Sequence, residues 1–501
     1  MRQGTGITVL LLLTSLVLLS GSSYAIPAFS RQYGTSCATC HVDFPKLNDF
    51  GKAFKDAGFK FPKADEDFIK VPPVMLGAPA QKELWPKAIW PGTIPGLPPI
   101  SVRYATFFQV LSKNRNNFNR LAPGEVGPFI PRTDFQNGTL SFFMAGNFGS
   151  DIAFWIDDDL AVGGSGGDGG MGDAYLKFVN IGRFLKLPKD ALSLRIGQFE
   201  LDLPFSPARS WNLSGWDVFD QPNVGTGADF VNNGFAMGSG VQGIEFSGGH
   251  TYGGYHYSLA VVNQNTSGTV ADGANVGPGG DAFFSDSNFK DLYGRASYRF
   301  NLERDPASRN EIQAAGATGP HDHTFLDVGS FGYYGRSVQR IGDGVTVFTA
   351  REPFYRVGGN FSFNYRNFNL FGLYMYGRDR NQIPAGTPNG FTSGQSVRFG
   401  GGLLEADYLA TPWMMTILRW DGVNSGSDRV NGLDGAGFLS PFNSTRNRIT
   451  PGVQFLIHAN IKAAFEYQFR PQQIVIDPGT GATITGPFRT NSAVAGLDFA
   501  F

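Results

Sequence analysis

Cysteine is nearly absent from this 501-residue chain, which has only Cys37 and Cys40, and histidine is scarce at six residues. Two cysteines cannot make a disulfide-stapled scaffold. Charge is also thin: Asp, Glu, Lys and Arg make up 17 %, against about 25 % in ordinary soluble domains. The formal net charge of -1 gives no electrostatic reason to expect a nucleic-acid partner. Long apolar runs are missing after Ile7–Leu19, so no later segment is suited to cross a membrane as a helix. The few histidines and scattered serines show no nucleophile elbow or triad spacing.

Glycine and phenylalanine are abundant, with 67 Gly, 46 Phe and 14 % aromatic residues. The start of the chain reads as an export signal over residues 1–25. Met1-Arg2 precedes the apolar run, and Ser23-Tyr24-Ala25 ends it as an A-x-A-like cleavage site. The alternative, a membrane anchor, needs about 20 apolar residues, and the run is shorter. An exported chain rich in Gly and Phe but without long apolar runs fits membrane residence as a β-barrel rather than as helices.

From residue 101 onward the chain alternates with period two. In "IKAAFEYQF", Ile461, Ala463, Phe465, Tyr467 and Phe469 share one face, and Lys462, Ala464, Glu466 and Gln468 share the other. "FSFNYR" (361–366) and "LYGRASYRF" (292–300) repeat the pattern. About sixteen strands are expected, beginning near residues 101, 138, 150, 172, 191, 240, 252, 289, 324, 353, 367, 395, 411, 446, 459 and 490. Their connections alternate long and short, with long ones expected at 113–137, 200–234, 264–288, 379–394, 422–445 and 471–489, as in barrels with long outer loops and short periplasmic turns. The stretch 301–323 is long where a short turn is due, so it hides a miscounted strand or is an insertion. "AVAGLDFAF" closes the chain with an alternating strand ending in Phe501. The fold expected is therefore all-β: a transmembrane outer-membrane barrel over 101–501, in contact with outer-membrane lipid. Arg295, Arg299, Arg366 and Lys462 fall on polar strand faces and are expected to line its lumen.

Both cysteines lie in "TSCATCHVDFP" (35–45), with His41 directly behind Cys40. A single structural disulfide is one reading. A thioredoxin-type motif is a second, but no βαβ pattern surrounds it. Covalent haem attachment is the third and is favoured, because Cys-x-x-Cys-His is its recorded signature. Two thiols three residues apart can add to the vinyl groups of one haem c, with His41 beneath the iron. The following "FPKLNDFGKAFKDAGF" places Leu47, Phe50, Ala53, Phe54 and Ala57 on one helical face, with Pro45 in a first turn and Gly58 as the C-terminal cap. A small α-helical cytochrome segment over 26–70 follows from this. Met75, in "VPPVMLG", is the candidate distal ligand, with an ordinary apolar contact as the alternative. His256 lies on a later strand and can reach a haem only if the haem segment sits inside the barrel. Residues 71–100 contain eight prolines and read as a stiff connector without regular structure.

Two weaker patterns remain. Asp157-Asp158-Asp159, with Asp168 and Asp173, has carboxylates suited to a divalent cation, but reads more simply as a solvated outer-loop turn. His321 to His323, "HDH", has metal-ligand character and reads more simply as a polar loop.

Residues 27–59 resemble the N-terminus of the fused monohaem cytochrome–porins, outer-membrane proteins associated with extracellular iron oxidation. The resembling positions are Phe29, Arg31, Gly34, Cys37, Cys40, His41, Pro45, Leu47, Phe50, Gly51, Phe54 and Gly58. The specific likeness covers about thirty residues; over the barrel it is one of layout alone. The resemblance implies that Cys37 and Cys40 carry the thioethers of one haem c and that His41 is the proximal ligand. It also implies electron transfer across the bacterial outer membrane, from extracellular Fe(II) or another donor to a periplasmic cytochrome or other carrier. Two other functions compete: a solute porin with a haem-bearing plug or sensor, and a haem enzyme, which would need an open iron position.

Overall fold

A computed structural model of the chain describes residues 28–61, 100–111, 133–149, 151–161, 170–210, 212–220, 240–249, 253–263, 289–302, 324–342, 347–380, 396–425, 447–469 and 491–501. Shorter described pieces lie at 65, 69, 72–75, 79–87, 93–94, 96, 99, 237–238, 473–476 and 483–486. The export signal, Asp168 and His321 to His323 lie outside the described residues.

Sixteen antiparallel strands close on themselves. The first half comprises β1 (Ile100–Leu111), β2 (Thr133–Phe148), β3 (Ile152–Ala161), β4 (Gly170–Phe178), β5 (Ser193–Glu200), β6 (Gly240–Gly249), β7 (Gly254–Val262) and β8 (Asp291–Asn301). The second half comprises β9 (Phe325–Gly342), β10 (Val347–Tyr365), β11 (Phe368–Arg380), β12 (Ser396–Thr411), β13 (Met414–Ser425), β14 (Asn447–His458), β15 (Ile461–Gln468) and β16 (Ser492–Ala500). Each strand pairs with its sequence neighbour, and β16 pairs with β1 to leave no edge. β8 pairs directly with β9. No strand therefore intervenes between them in the barrel, and residues 303–323 of the long stretch lie outside the described residues.

Period-two patterning becomes an inside and an outside. Along β8, Leu292, Tyr298 and Phe300 are exposed outward, while Asp291, Tyr293, Ser297 and Arg299 are buried toward the lumen. β15 does the same, with Phe465 and Tyr467 outside and Lys462, Glu466 and Gln468 inside. Only a lipid surround makes that outer face favourable, since water would meet an unbroken belt of apolar side chains. Closure also leaves no strand edge unpaired, which a bilayer requires. Phe148, Phe300, Tyr365 and Tyr408 end their strands at the short-turn rim, joined there by Trp413 in a turn, and all are exposed. They form the aromatic girdle expected at one membrane interface.

One lumen assignment fails. Arg366 is exposed in the tight turn Arg366-Asn367, at φ 51°, with its guanidinium 5.4 Å from the Tyr365 ring centroid. The strand ends at Tyr365, so Arg366 belongs to neither face. The aspartate triplet is likewise no loop: Asp157 to Asp159 sit within β3, and Asp173 within β4.

The segment before the barrel folds back into the lumen. It begins with α1 (Ala28–Tyr33), continues through a 3-10 turn at Cys37–Thr39, and reaches α2 (Asp49–Asp56). α2 starts later than Pro45 because Asn48 is its cap: the Asn48 Oδ1 accepts from Gly51 N at 2.8 Å. At the other end Gly58 adopts φ +75°, and Phe59 N donates to Phe54 O at 2.9 Å, closing the helix as the sequence suggests. The connector is less irregular than its prolines imply, with a short helix at Pro79–Leu84 and a two-residue ladder between Val74–Met75 and Thr93–Ile94.

Candidate functional site

The plug and its attachment define the site. Every anchor on the barrel lies near a strand end at the short-turn rim. Ala28 N donates to Ser101 Oγ at 2.7 Å, and Arg31 donates to the Ile100 carbonyl. Lys46 Nζ reaches Asn369 Oδ1 and Asp407 Oδ2, both at 3.3 Å, across the lumen. Lys462 Nζ donates to the Phe44 carbonyl at 2.8 Å, and Arg299 pairs with Asp49 at 2.7 Å. These contacts span β1, β8, β11, β12 and β15, so the segment bridges the turn-side mouth rather than leaning on one wall. Lys462, Arg299 and Arg295 were expected in the lumen and are there; Lys462 and Arg299 grip the plug.

Cys37, Cys40 and His41 are brought together at the plug's centre. Cys40 N donates to Cys37 O at 3.1 Å, so both thiols leave one tight turn. Burial holds both as thiols: it pushes Cys37 up, and Cys40 to about 12. Burial pushes His41 down to about 4, and the nearby cations Lys462 and Arg103 act in the same direction. His41 is therefore a neutral imidazole at neutral pH, the form that ligates metals. Its Nδ1 lies 3.2 Å from the Pro45 carbonyl, which can only accept, so Nδ1 carries the hydrogen and Nε2 the lone pair. Two adjacent thiols and an imidazole with its tautomer set this way form a donor set that fits a c-type haem.

Around Cys40 the packing is aromatic. Tyr33, Phe50, Phe54 and Phe59 are buried with Ala145 and Ala153 of the barrel, and Phe29, Cys40 and Phe61 pack against them. Gly51 is required here because a Cβ would overlap the Cys40 carbonyl. Gly58 faces the wall, where a Cβ would lie 2.7 Å from Val179 Cγ2. Phe59 stacks near Trp155 of β3, with centroids 5.6 Å apart. Trp155 packs against this cluster and also against a second apolar cluster deeper in the barrel.

That second cluster is built by a segment that follows β5 into the lumen. Leu201, Leu203, Trp216, Val218 and Phe219 are buried there against Tyr293, Phe331, Phe371 and Phe399 of the wall. Buried charges fasten it. Glu405 accepts from Trp216 Nε1 at 2.9 Å and from Asn212 Nδ2 at 2.9 Å. Glu466 accepts from Leu213 N and Ser214 Oγ, both at 2.6 Å. Arg419 donates to Ser214 O at 2.8 Å and Arg448 to Gly215 O at 2.5 Å. The sequence reading places residues 200–234 in a long outer loop and misses this inward fold. The missed signal was the Leu, Phe and Trp content of "LDLPFSPARSWNLSGWDVFD", which a solvated loop would not carry.

Neither of the other candidates belongs to the packing around Cys40. Met75 is 57 % exposed on its short strand rather than packed in the aromatic cluster. His256 does face the lumen, but its Nε2 is 2.6 Å from Asp202 Oδ2 of the inward segment. It lines the same cavity as Lys52 and Lys55 of α2, whereas Cys40 packs under Gly51 of that helix. Among the described residues no three His, Cys, Asp or Glu side chains are grouped to hold a metal ion, Asp157 to Asp159 included.

These features define the class: an outer-membrane β-barrel of sixteen strands whose lumen holds its own N-terminal segment. No family model and no curated protein matches the sequence. Among solved structures, the anion-selective porin from Comamonas acidovorans is 12 % identical over 80 % of this chain and 98 % of its own, with a TM-score of 0.45. OmpF of Salmonella typhi, in complex with daunomycin, is 11 % identical over 80 % of this chain and 97 % of its own, with a TM-score of 0.45. The outer membrane channel DcaP of Acinetobacter baumannii is 11 % identical over 80 % of this chain and 96 % of its own, also at 0.45. Likenesses this distant carry no argument about function, and the barrel assignment rests on the strand pairing above.

Proposed function

We propose that the chain is an outer-membrane electron conduit in which one haem c, held by Cys37, Cys40 and His41, takes electrons from an extracellular donor and yields them to a periplasmic carrier. The observation that carries this reading is the position of the Cys-x-x-Cys-His turn inside a plug anchored across the turn-side mouth. A haem c there supplies one-electron redox chemistry, with a potential tuned by its axial ligands, burial and hydrogen bonds. The chain's residues do the rest. The strands insulate a band about 25 Å tall, the aromatic cluster excludes water around Cys40, and Pro45 orients His41. Fe(II) is the donor that the resemblance to cytochrome–porins implies, and Met75 is the distal ligand that the sequence offers. The resemblance to cytochrome–porins points the same way.

A second reading, a solute porin with a haem-bearing plug, is supported by the cavity left in the lumen, whose lining includes charged side chains. One experiment separates the two. Fe(II) added to the purified oxidised protein without oxygen is expected to produce the spectrum of reduced haem c. An oxidised spectrum that persists, together with ion conductance in planar bilayers, overturns the conduit and favours the porin.

A further inference from the structure

Between α2 and the inward segment lies a cavity of about 330 Å³, within the range of small-molecule sites. We propose that it binds a small organic anion, with a carboxylate on Lys55 and an apolar body against the inward segment. The lining cations are otherwise committed. Arg195, Arg209, Arg295 and Arg299 each hold a carboxylate within 3.0 Å, and the other lining lysines each lie within 3.8 Å of one. Among the described residues, Lys55 alone of these has no such partner.

Lys55 stands half-buried on the polar flank of α2, where it lines the cavity. Burial, reinforced by Arg209 and Arg195, pushes its pKa down to about 8 against the opposing pull of Asp173 and Glu200. A desolvated ammonium without a counter-charge is unfavourable, and a carboxylate supplies a charge-assisted hydrogen bond. The lining also includes Leu203, Phe205 and Phe371, which a bare inorganic anion would leave facing water. Cys37, Cys40 and His41 are not among the residues lining this cavity, so the binding test below reads the site without presupposing the haem.

Isothermal titration calorimetry on the detergent-solubilised full-length chain tests the assignment, with benzoate, benzyl alcohol and inorganic phosphate as probes. Saturable benzoate binding is expected, weakened about tenfold or more in Lys55→Gln and retained in Lys55→Arg. Heat-modifiable migration on gels reports that each variant keeps its barrel. Absent or non-saturable benzoate binding, or equal affinity in Lys55→Gln, overturns the site. Benzyl alcohol binding as tightly as benzoate removes the role of charge and overturns it too. Phosphate binding without benzoate binding overturns the organic class.

Discussion

Gly51→Val unseats the plug while leaving the barrel closed. The helix α2 packs so tightly on the Cys-x-x-Cys-His turn that a side-chain carbon at position 51 has only the Cys40 carbonyl to occupy. The obstruction is backbone, which cannot swing aside as the end of a long side chain can. Either α2 moves off the turn or the turn moves toward the wall, and both disturb the aromatic packing around Cys40. The overpacking costs about 3 kcal/mol, comparable to what a small segment contributes by itself. In detergent, the variant is expected to be cut by trypsin at Lys46, Lys52 and Lys55 under conditions where the native plug resists. Its conductance in planar bilayers rises as the turn-side mouth opens. Native-like protease resistance and conductance would show that α2 does not seat the plug in the way described.

The second large effect concerns the inward segment. Asp421→Ala is expected to cost about 3–5 kcal/mol, because it strips the counter-charge from buried guanidinium groups. Asp421 is fully buried on β13, directly opposite Arg448 of β14, whose Nε and Nη2 donate to its two oxygens at 3.1 and 2.9 Å. Arg419 lies 3.1 Å away on the same strand face. Both arginines also hold the backbone of Ser214 and Gly215, so their displacement loosens the segment from the wall. Urea unfolding followed by tryptophan fluorescence measures the loss. Adding Arg448→Met to Asp421→Ala is expected to recover part of it, since removing a buried pair costs less than orphaning one member. A loss below about 1 kcal/mol in the single variant would contradict the electrostatic account.

The barrel was legible because alternation is a strong local signal wherever one face meets lipid and the other a polar lumen. Most strand starts fall within a few residues of the expected ones. β10 is an instructive exception: it begins at Val347 rather than near 353, because Arg351-Glu352-Pro353 reads as a break. Pro353 nonetheless sits within the ladder opposite Arg336. The Cys-x-x-Cys-His turn, the amphipathic face of α2 and the Gly58 cap were equally readable, since all are short-range patterns. What sequence could not supply is the pairing of distant charges. Nothing local links Lys46 to Asp407, Arg299 to Asp49, or Trp216 to Glu405, and these contacts place the plug and the inward segment inside the barrel. Arg366 was misplaced for a related reason: one residue beyond the strand end, parity no longer assigns a face.

The proposed function requires a barrel-resident plug that carries one covalent haem. It is tested most directly by mass spectrometry of the chain purified from outer membranes and digested with trypsin. The peptide from Gln32 to Lys46 is predicted to bear the mass of one haem, lost in Cys37→Ala with Cys40→Ala. An unmodified peptide, with both thiols free or joined to each other, would contradict it.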